Sequence, residues 1–337
     1  MTLSAVPPST ARSGDSYSFG RWKQPIPTPN IVSPGLFGSW RLKEWHYMSV
    51  ATPRWFVAFA FVNLGYAGKV FAYLVDRERP TEKREYTRLH PFAIGLSFAE
   101  SSVRGETTWK DGANTLRVRY QNGWQVHVDL DLGSARLVGE FSVEDAEALA
   151  LLYRLPSGLP AYTHKASGLR ASGRLSVGDT GIDLSEGVAS IDWTRSIALR
   201  ETRWLWSSLQ GRTAQGNLIG LNLSAKVYDD AQGNSQENAL WLDGKVHALD
   251  GVVFDLPKDP RTEPWRIRSK NDGVREVDLI FTPYGTREEQ VNFGIIRSSF
   301  IQPYGSYQGT LCPKELGVSP LSVDGLFGVV ETHHCIW

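Results

Sequence analysis

The sequence predicts an all-β protein made of two tandem antiparallel barrels joined by a short helical connector. Three observations carry that prediction: period-two alternation of apolar and polar residues, turn dipeptides between the alternating runs, and a scarcity of helical signals. At 337 residues the chain also exceeds the usual size of one domain, so two are expected.

Taken in order, residues 1–35 are rich in Ser, Pro and Gly and read as a flexible N-terminal segment. No apolar run follows a basic start, so they do not read as a secretory signal. Residues 36–158 then form the first predicted barrel. Its longest apolar run, Trp55 to Leu64, is of strand length and continues as a hairpin into Val70–Val75. Further on, Leu116, Val118 and Tyr120 alternate with Arg117 and Arg119 before Asn122-Gly123. After that turn, Trp124, Val126, Val128 and Leu130 alternate with Gln125, His127 and Asp129. Asn-Gly between alternating runs signals a hairpin because both turn residues must accept positive φ. Asp243-Gly244 repeats the device in the second half, and Asp111-Gly112 resembles it.

The segment from Ser142 to Leu155 carries the one helical pattern. Ser142 is placed to cap, acidic residues follow, and Ala146, Leu149, Leu152 and Tyr153 fall at helical spacing before Pro156 and Gly158. This predicts a connector helix near 142–155, a boundary near 156–165, and a second barrel over 159–337.

Composition excludes several classes. Lys plus Arg and Asp plus Glu both number 36, so a nucleic-acid partner is not expected. No apolar stretch approaches the ~18 residues of a membrane span. Cys312 and Cys335 are the only cysteines, which suits a reducing, cytoplasmic setting and gives no metal spacing. Hydrolase elbow, phosphate loop, zincin and dinucleotide fingerprints are all absent, so no cofactor is expected.

Several segments resemble the DUF2804 family. They include Arg41-Leu42-Lys43-Glu44-Trp45, His164-Lys165-Ala166-Ser167-Gly168-Leu169, Asp192-Trp193-Thr194-Arg195 and Glu237-Asn238-Ala239-Leu240-Trp241-Leu242-Asp243-Gly244. Pro264-Trp265-Arg266-Ile267, Tyr304-Gly305-Ser306-Tyr307-Gln308-Gly309 and the closing Glu331-Thr332-His333-His334-Cys335-Ile336-Trp337 extend the likeness to the end of the chain. That resemblance implies a lipocalin-like (calycin-like) two-barrel fold, shared with carotenoid hydratases, tocopherol cyclases and decalin-forming cyclases. It implies no catalytic residue by position.

Two functions follow as expectations. One is a cofactor-independent lyase or isomerase, of hydratase, dehydratase or cyclase type, acting on an isoprenoid, steroid or polyketide-like substrate. The other is a non-catalytic carrier of an apolar small molecule. Candidate acids are Asp192 and Glu331, and candidate bases are His333 and His164, because a carboxylate near an imidazole can exchange protons near neutral pH. Trp204, Trp206 and Trp241 are expected as cavity walls, with Arg200, Asn222 and Tyr304 as substrate contacts. For each ring the competing explanation is ordinary β-core packing. Homo-oligomerisation is left open.

Overall fold

The structure, a computed structural model, describes residues 3–33, 35, 38–271, 273, 275–292, 294–317 and 319–337. It is all-β: among the described residues the only helical turns are α1 (Gly38–Arg41) and a 3₁₀ turn at Lys314–Leu316. The chain divides into two compact units, 1–198 and 199–337.

In unit 1 the strands are β1 (Leu3–Ser4), β2 (Arg12–Ser13), β3 (Ser16–Tyr17), β4 (Gly20–Trp22), β5 (Leu42–Ala51), β6 (Trp55–Asn63), β7 (Ala67–Asp76), β8 (Lys83–Pro91) and β9 (Leu96–Ser97). They continue with β10 (Glu106–Asp111), β11 (Asn114–Tyr120), β12 (Trp124–Asp131), β13 (Arg136–Val143), β14 (Leu149–Arg154), β15 (Pro160–Val177), β16 (Thr180–Asp183) and β17 (Gly187–Ile197). Most of them join one sheet ordered β8-β7-β6-β5-β17-β15-β13-β12-β11-β10-β9. The sheet curls into a half-barrel, and side chains tie its edges together. Trp109 Nε1 on β10 donates to Tyr86 Oη on β8 at 2.9 Å, and Tyr86 donates to Asp111 Oδ2 at 3.0 Å. The expected hairpin is present, with Asn122 at φ 51° and Gly123 at φ 118°.

The predicted helix at 142–155 is corrected by the structure. Arg136–Val143 and Leu149–Arg154 are strands that pair with the two halves of β15. Leu149, Ala150, Leu151 and Leu152 are all buried, so this strand is covered on both faces. Such a strand reads as a continuous apolar run, which periodicity cannot separate from a buried helix.

The N-terminal segment is likewise not a free tail. β4 pairs with β14, and Ala11, Trp22, Ile26 and Ile31 join a buried cluster with Tyr162 and Trp193. Its Ser, Pro and Gly content conceals apolar anchors. The division between units also lies later than 156–165, because β15 and β17 are central strands of the first sheet.

Unit 2 contains β18 (Glu201–Arg212), β19 (Leu218–Ala225), β20 (Ala239–Leu242), β21 (Lys245–Ala248), β22 (Val252–Asp255), β23 (Trp265–Ser269), β24 (Val277–Asn292), β25 (Arg297–Leu311), β26 (Leu321–Ser322) and β27 (Phe327–Ile336). Their sheet runs β21-β20-β19-β18-β27-β25-β24-β23-β22, so the curl returns its last strand toward the first. Leu240, Leu249, Val252 and Phe254 belong to one apolar cluster that includes Leu205, Leu209, Leu223, Trp265, Tyr307 and Val330.

Candidate functional site

Strand register builds the site in unit 1. His46 on β5 lies opposite Trp193 on β17, and Trp193 lies opposite His164 on β15. Directly opposed residues project from the same face. That face is the interior, because two residues further along the same strands stand Met48, Ile191 and Ala166 of the apolar core. Trp124 reaches the group from β12, its ring centroid 5.9 Å from that of His164. Phe61 and Phe98 flank His46 at 6.0 and 6.5 Å, and Phe98 also packs on Trp193 at 5.8 Å.

His46, His164, Trp124 and Trp193 are each no more than 3% exposed. Within this interior, His46 Nε2, His164 Nε2, Trp124 Nε1 and Trp193 Nε1 have no hydrogen-bond partner among the described residues. Buried polar atoms are nearly always satisfied, so four orphan ring nitrogens on one interior face require an explanation.

Burial keeps both imidazoles neutral. The pKa of His46 is lowered to about 3 by burial and then by the neighbouring His164. That of His164 is lowered to about 4 by burial, which outweighs the opposing charges of Asp145 and Asp192. Their other nitrogens meet hydroxyls. His164 Nδ1 is 2.9 Å from Ser102 Oγ, and His46 Nδ1 is 3.4 Å from Thr107 Oγ1. Thr107 accepts the Ala99 N–H at 3.1 Å and still has its own proton to donate to His46 Nδ1, a pairing in which Nε2 carries the ring proton. Ser102 also hydrogen-bonds Tyr162, whose hydroxyl is pushed up by burial and accepts the Ile26 N–H at 2.9 Å. Tyr162, Ser102 and His164 Nδ1 thus form a buried hydroxyl–imidazole chain.

An ion pair borders the group. Arg195, opposite Glu44, donates Nε to Glu44 Oε1 at 2.7 Å and holds the Glu100 and Ala99 carbonyls at 2.8 and 3.2 Å. Its guanidinium lies 5.2 Å from the Trp193 ring centroid. The segment from Ala99 to Ser102 is therefore anchored from the interior face, by Arg195 and by His164.

The other expected site residues fall elsewhere. Asp192 occupies the opposite face of β17 from Trp193, where it accepts hydrogen bonds from Lys165 and, at 3.1 Å, from Thr194. Glu331 and His333 share a face of β27 as expected, with His333 Nδ1 4.0 Å from Glu331. Glu331 accepts from Trp204 Nε1 at 2.6 Å and from Gln302 at 2.8 Å. Trp206 donates to Asn222 at 2.7 Å. These residues alternate with Leu205, Leu221, Leu223 and Val330, so they occupy the face opposite the apolar interior of unit 2. Trp241 alternates with Leu240 in the same way, and Tyr304 lies opposite Val329 on the Glu331 face. The three tryptophans thus lie on the sheet face opposite the unit 2 apolar cluster, where Trp206 and Trp241 are buried. Arg200 is exposed and donates to the Ile295 carbonyl at 2.6 Å.

Sequence reasoning found His164 but missed His46, Trp124 and Trp193 as a group. Each sits at an apolar-face position of its strand, a signal that becomes legible only when β5, β17, β15 and β12 are placed side by side. Among the described residues, no three His, Cys, Asp or Glu side chains are grouped as a metal site.

The model of the Domain of unknown function (DUF2804) family matches residues 8–337. The chain belongs to that family. No curated protein matches the DUF2804 chain. Among solved structures it is similar to CghA, crystallised with Sch210972, at 10% identity and a TM-score of 0.54, covering 93% of this chain and 96% of that one. It is also similar to kievitone hydratase from Nectria haematococca, at 12% identity and a TM-score of 0.53, covering 86% and 88%. Identities this low establish the shared two-barrel fold of the DUF2804 chain.

Proposed function

We propose that the protein is a cofactor-independent enzyme of the hydratase, dehydratase or cyclase type, acting on a largely apolar small molecule held inside unit 1. The observation that carries this reading is the set of four buried, unpartnered ring nitrogens, two of them neutral imidazoles, on an otherwise apolar and aromatic face. An oxygen acceptor on a guest would satisfy the indole N–H donors among them. The fold shared with a protein named as a hydratase supports the same class.

The chemistry follows from the groups present. A neutral imidazole N–H aimed at a carbonyl oxygen stabilises the negative charge that develops there when water adds to a conjugated double bond. The water oxygen bonds to the β-carbon, the carbonyl becomes an enol-like centre, and the water proton is delivered to the α-carbon. His164 suits the proton transfer. With its proton at Nδ1, held against Ser102 Oγ, the ring can take the water proton at Nε2 and return it to the α-carbon, so that it is charged only between the two steps. Asp192, held by Lys165 on the other face, is less suited to act as the acid.

Incubation with apolar α,β-unsaturated ketones in ¹⁸O-labelled water, read by mass spectrometry, tests this. The wild-type protein is expected to install the label. His164→Gln, which keeps a donor at the Nε2 position but cannot relay a proton, is expected to lower the rate by about 10²–10⁴-fold with ligand affinity retained. Unchanged labelling in that variant, or none in the wild type, would overturn the hydratase reading. Tight binding without turnover in the wild type would favour a carrier.

A further inference from the structure

We infer that the unit 1 interior recognises an uncharged carbonyl-type oxygen, as in a ketone, ester or amide, rather than a carboxylate, a phosphate or an amine. This deepens the reading above by naming the polar end of its guest, and it rests on that reading for the place of binding.

The argument is a matching of donors and charges. Trp124 Nε1 and Trp193 Nε1 are donors only, so whatever completes them must accept. His46 adds a third donor in the tautomer that carries its proton at Nε2, which Thr107 supports by donating to Nδ1. An ammonium group would bring more donors to a face already furnished with them. A hydroxyl accepts but also needs an acceptor for its own proton, and in the proposed reaction His164 Nε2 keeps that role for the attacking water. A carbonyl oxygen accepts two such bonds and asks for nothing in return.

Charge excludes anions. A carboxylate buried here would need a cation, and the charged groups nearby are already committed. Arg195, in the adjacent row, is neutralised by Glu44 and holds two backbone carbonyls. Lys165 lies on the opposite face against Asp192. Asp145, whose charge acts on His164, accepts from Tyr120 at 2.5 Å and would repel an anion. The two imidazoles cannot substitute as cations, because burial opposes their protonation.

Register gives the guest a direction. Beyond His46, Trp193 and His164, the same three strands present Met48 with Val50, Ile191 with Ala189, and Ala166. The apolar body of the guest would extend over these residues and the facing Val126 and Val128, while its oxygen stays at the ring nitrogens. Polar and apolar recognition are thus segregated along the strands.

Equilibrium binding of three matched probes tests the inference: 2-acetylnaphthalene, 2-naphthoate and 2-ethylnaphthalene, each titrated into the full-length protein at pH 7.5. The ketone is expected to bind at least about tenfold more tightly than the hydrocarbon and the carboxylate, which is about 1.4 kcal/mol. Its carbonyl stretch is expected at lower wavenumber than in hexane. Trp124→Phe and Trp193→Phe are each expected to reduce that preference and move the stretch back toward its hexane position. Tighter binding of naphthoate, equal binding of all three with a hexane-like stretch, or binding of none would overturn the carbonyl assignment. The labelling assay is separate. A carboxylate preference with intact turnover sinks this inference alone, whereas a ketone preference without turnover sinks only the enzymatic reading.

Discussion

The two interiors are furnished with the same kinds of aromatic residue and finished differently. In unit 2, Trp265 Nε1 donates to the Pro260 carbonyl at 2.8 Å, and Tyr307 donates to the Val329 carbonyl at 2.6 Å while Ser207 lies 2.9 Å from its hydroxyl. The polar edge of each ring is closed by its own unit. In unit 1, Trp124, Trp193, His46 and His164 carry ring nitrogens that the unit does not close. An unmade buried hydrogen bond is costly, and the expense is tolerated where something outside the fold completes it. On the function proposed above, the open ring nitrogens of unit 1 are where a guest binds, and the closed rings of the unit 2 interior serve packing alone.

The largest expected effect lies in the finished core. Trp265→Ala removes a fully buried ring together with its paired N–H and should destabilise by about 3–5 kcal/mol. Urea unfolding followed by near-ultraviolet circular dichroism reads this as a lowered midpoint. A loss below about 1 kcal/mol would mean that the unit 2 interior is not the packed core its burial indicates.

The next effect is in the response to acid and belongs to unit 1. Unfolded histidines protonate near pH 6.5, whereas folded His46 and His164 resist protonation down to about 3 and about 4. Between those limits the unfolded chain binds more protons, so stability falls as pH falls. Above pH 6.5 neither state is charged at these groups, and their contribution is flat. Each histidine should add a slope of about 1.4 kcal/mol per pH unit in the window from about 6 to 4. Denaturation midpoints measured across that window should drop steeply in the wild-type protein and less steeply in His46→Gln/His164→Gln. Depressed carboxylates such as Asp76, held down by Arg54, begin to lose their contribution near pH 5 with the same sign, so the histidine share is read from the difference between wild type and the double variant.

How much of this was legible in the sequence depends on the range of the interaction involved. The Asn122-Gly123 and Asp243-Gly244 hairpins were readable because a turn's φ demand is local, and positive φ appears at all four residues. The strand at Leu149–Arg154 was misread because burial on both faces erased the alternation. The folded N-terminal segment was missed because its anchors, Trp22 and Ile26, stand singly among turn residues. His164 was visible as a histidine at a small-residue run, yet its significance is set by Trp193, His46 and Trp124 on other strands. No local pattern encodes which strands become neighbours, so the group emerges from register alone.

A smaller effect separates paired from unpaired polar atoms within the interiors. Tyr307→Phe strands the Val329 carbonyl and the Ser207 hydroxyl in unit 2, and should cost about 1–3 kcal/mol. A matched deletion in unit 1 should behave differently. Trp193→Phe loses ring volume but removes an N–H that had no partner, so its net cost should be confined to the volume lost. Thermal melts of the two variants, compared with wild type, should therefore rank Tyr307→Phe as the more destabilising despite the smaller change in size.

The smallest effect is the most discriminating. His46→Leu deletes a buried imidazole whose Nε2 is unpaired and whose Nδ1 contact with Thr107 is long, at 3.4 Å. Leucine occupies comparable space without a polar atom to desolvate. Replacing an unsatisfied polar group by an apolar one of similar shape is near neutral or stabilising, so the folded state should change by less than about 1 kcal/mol in either direction. Binding of the acetylnaphthalene probe, in contrast, should weaken in the same variant. Unchanged stability with lost affinity is the behaviour expected of a residue retained for a guest. A loss of stability above about 2 kcal/mol, within the range for breaking a satisfied buried hydrogen bond, would show that His46 is completed within unit 1, and the contrast between the two interiors would no longer hold.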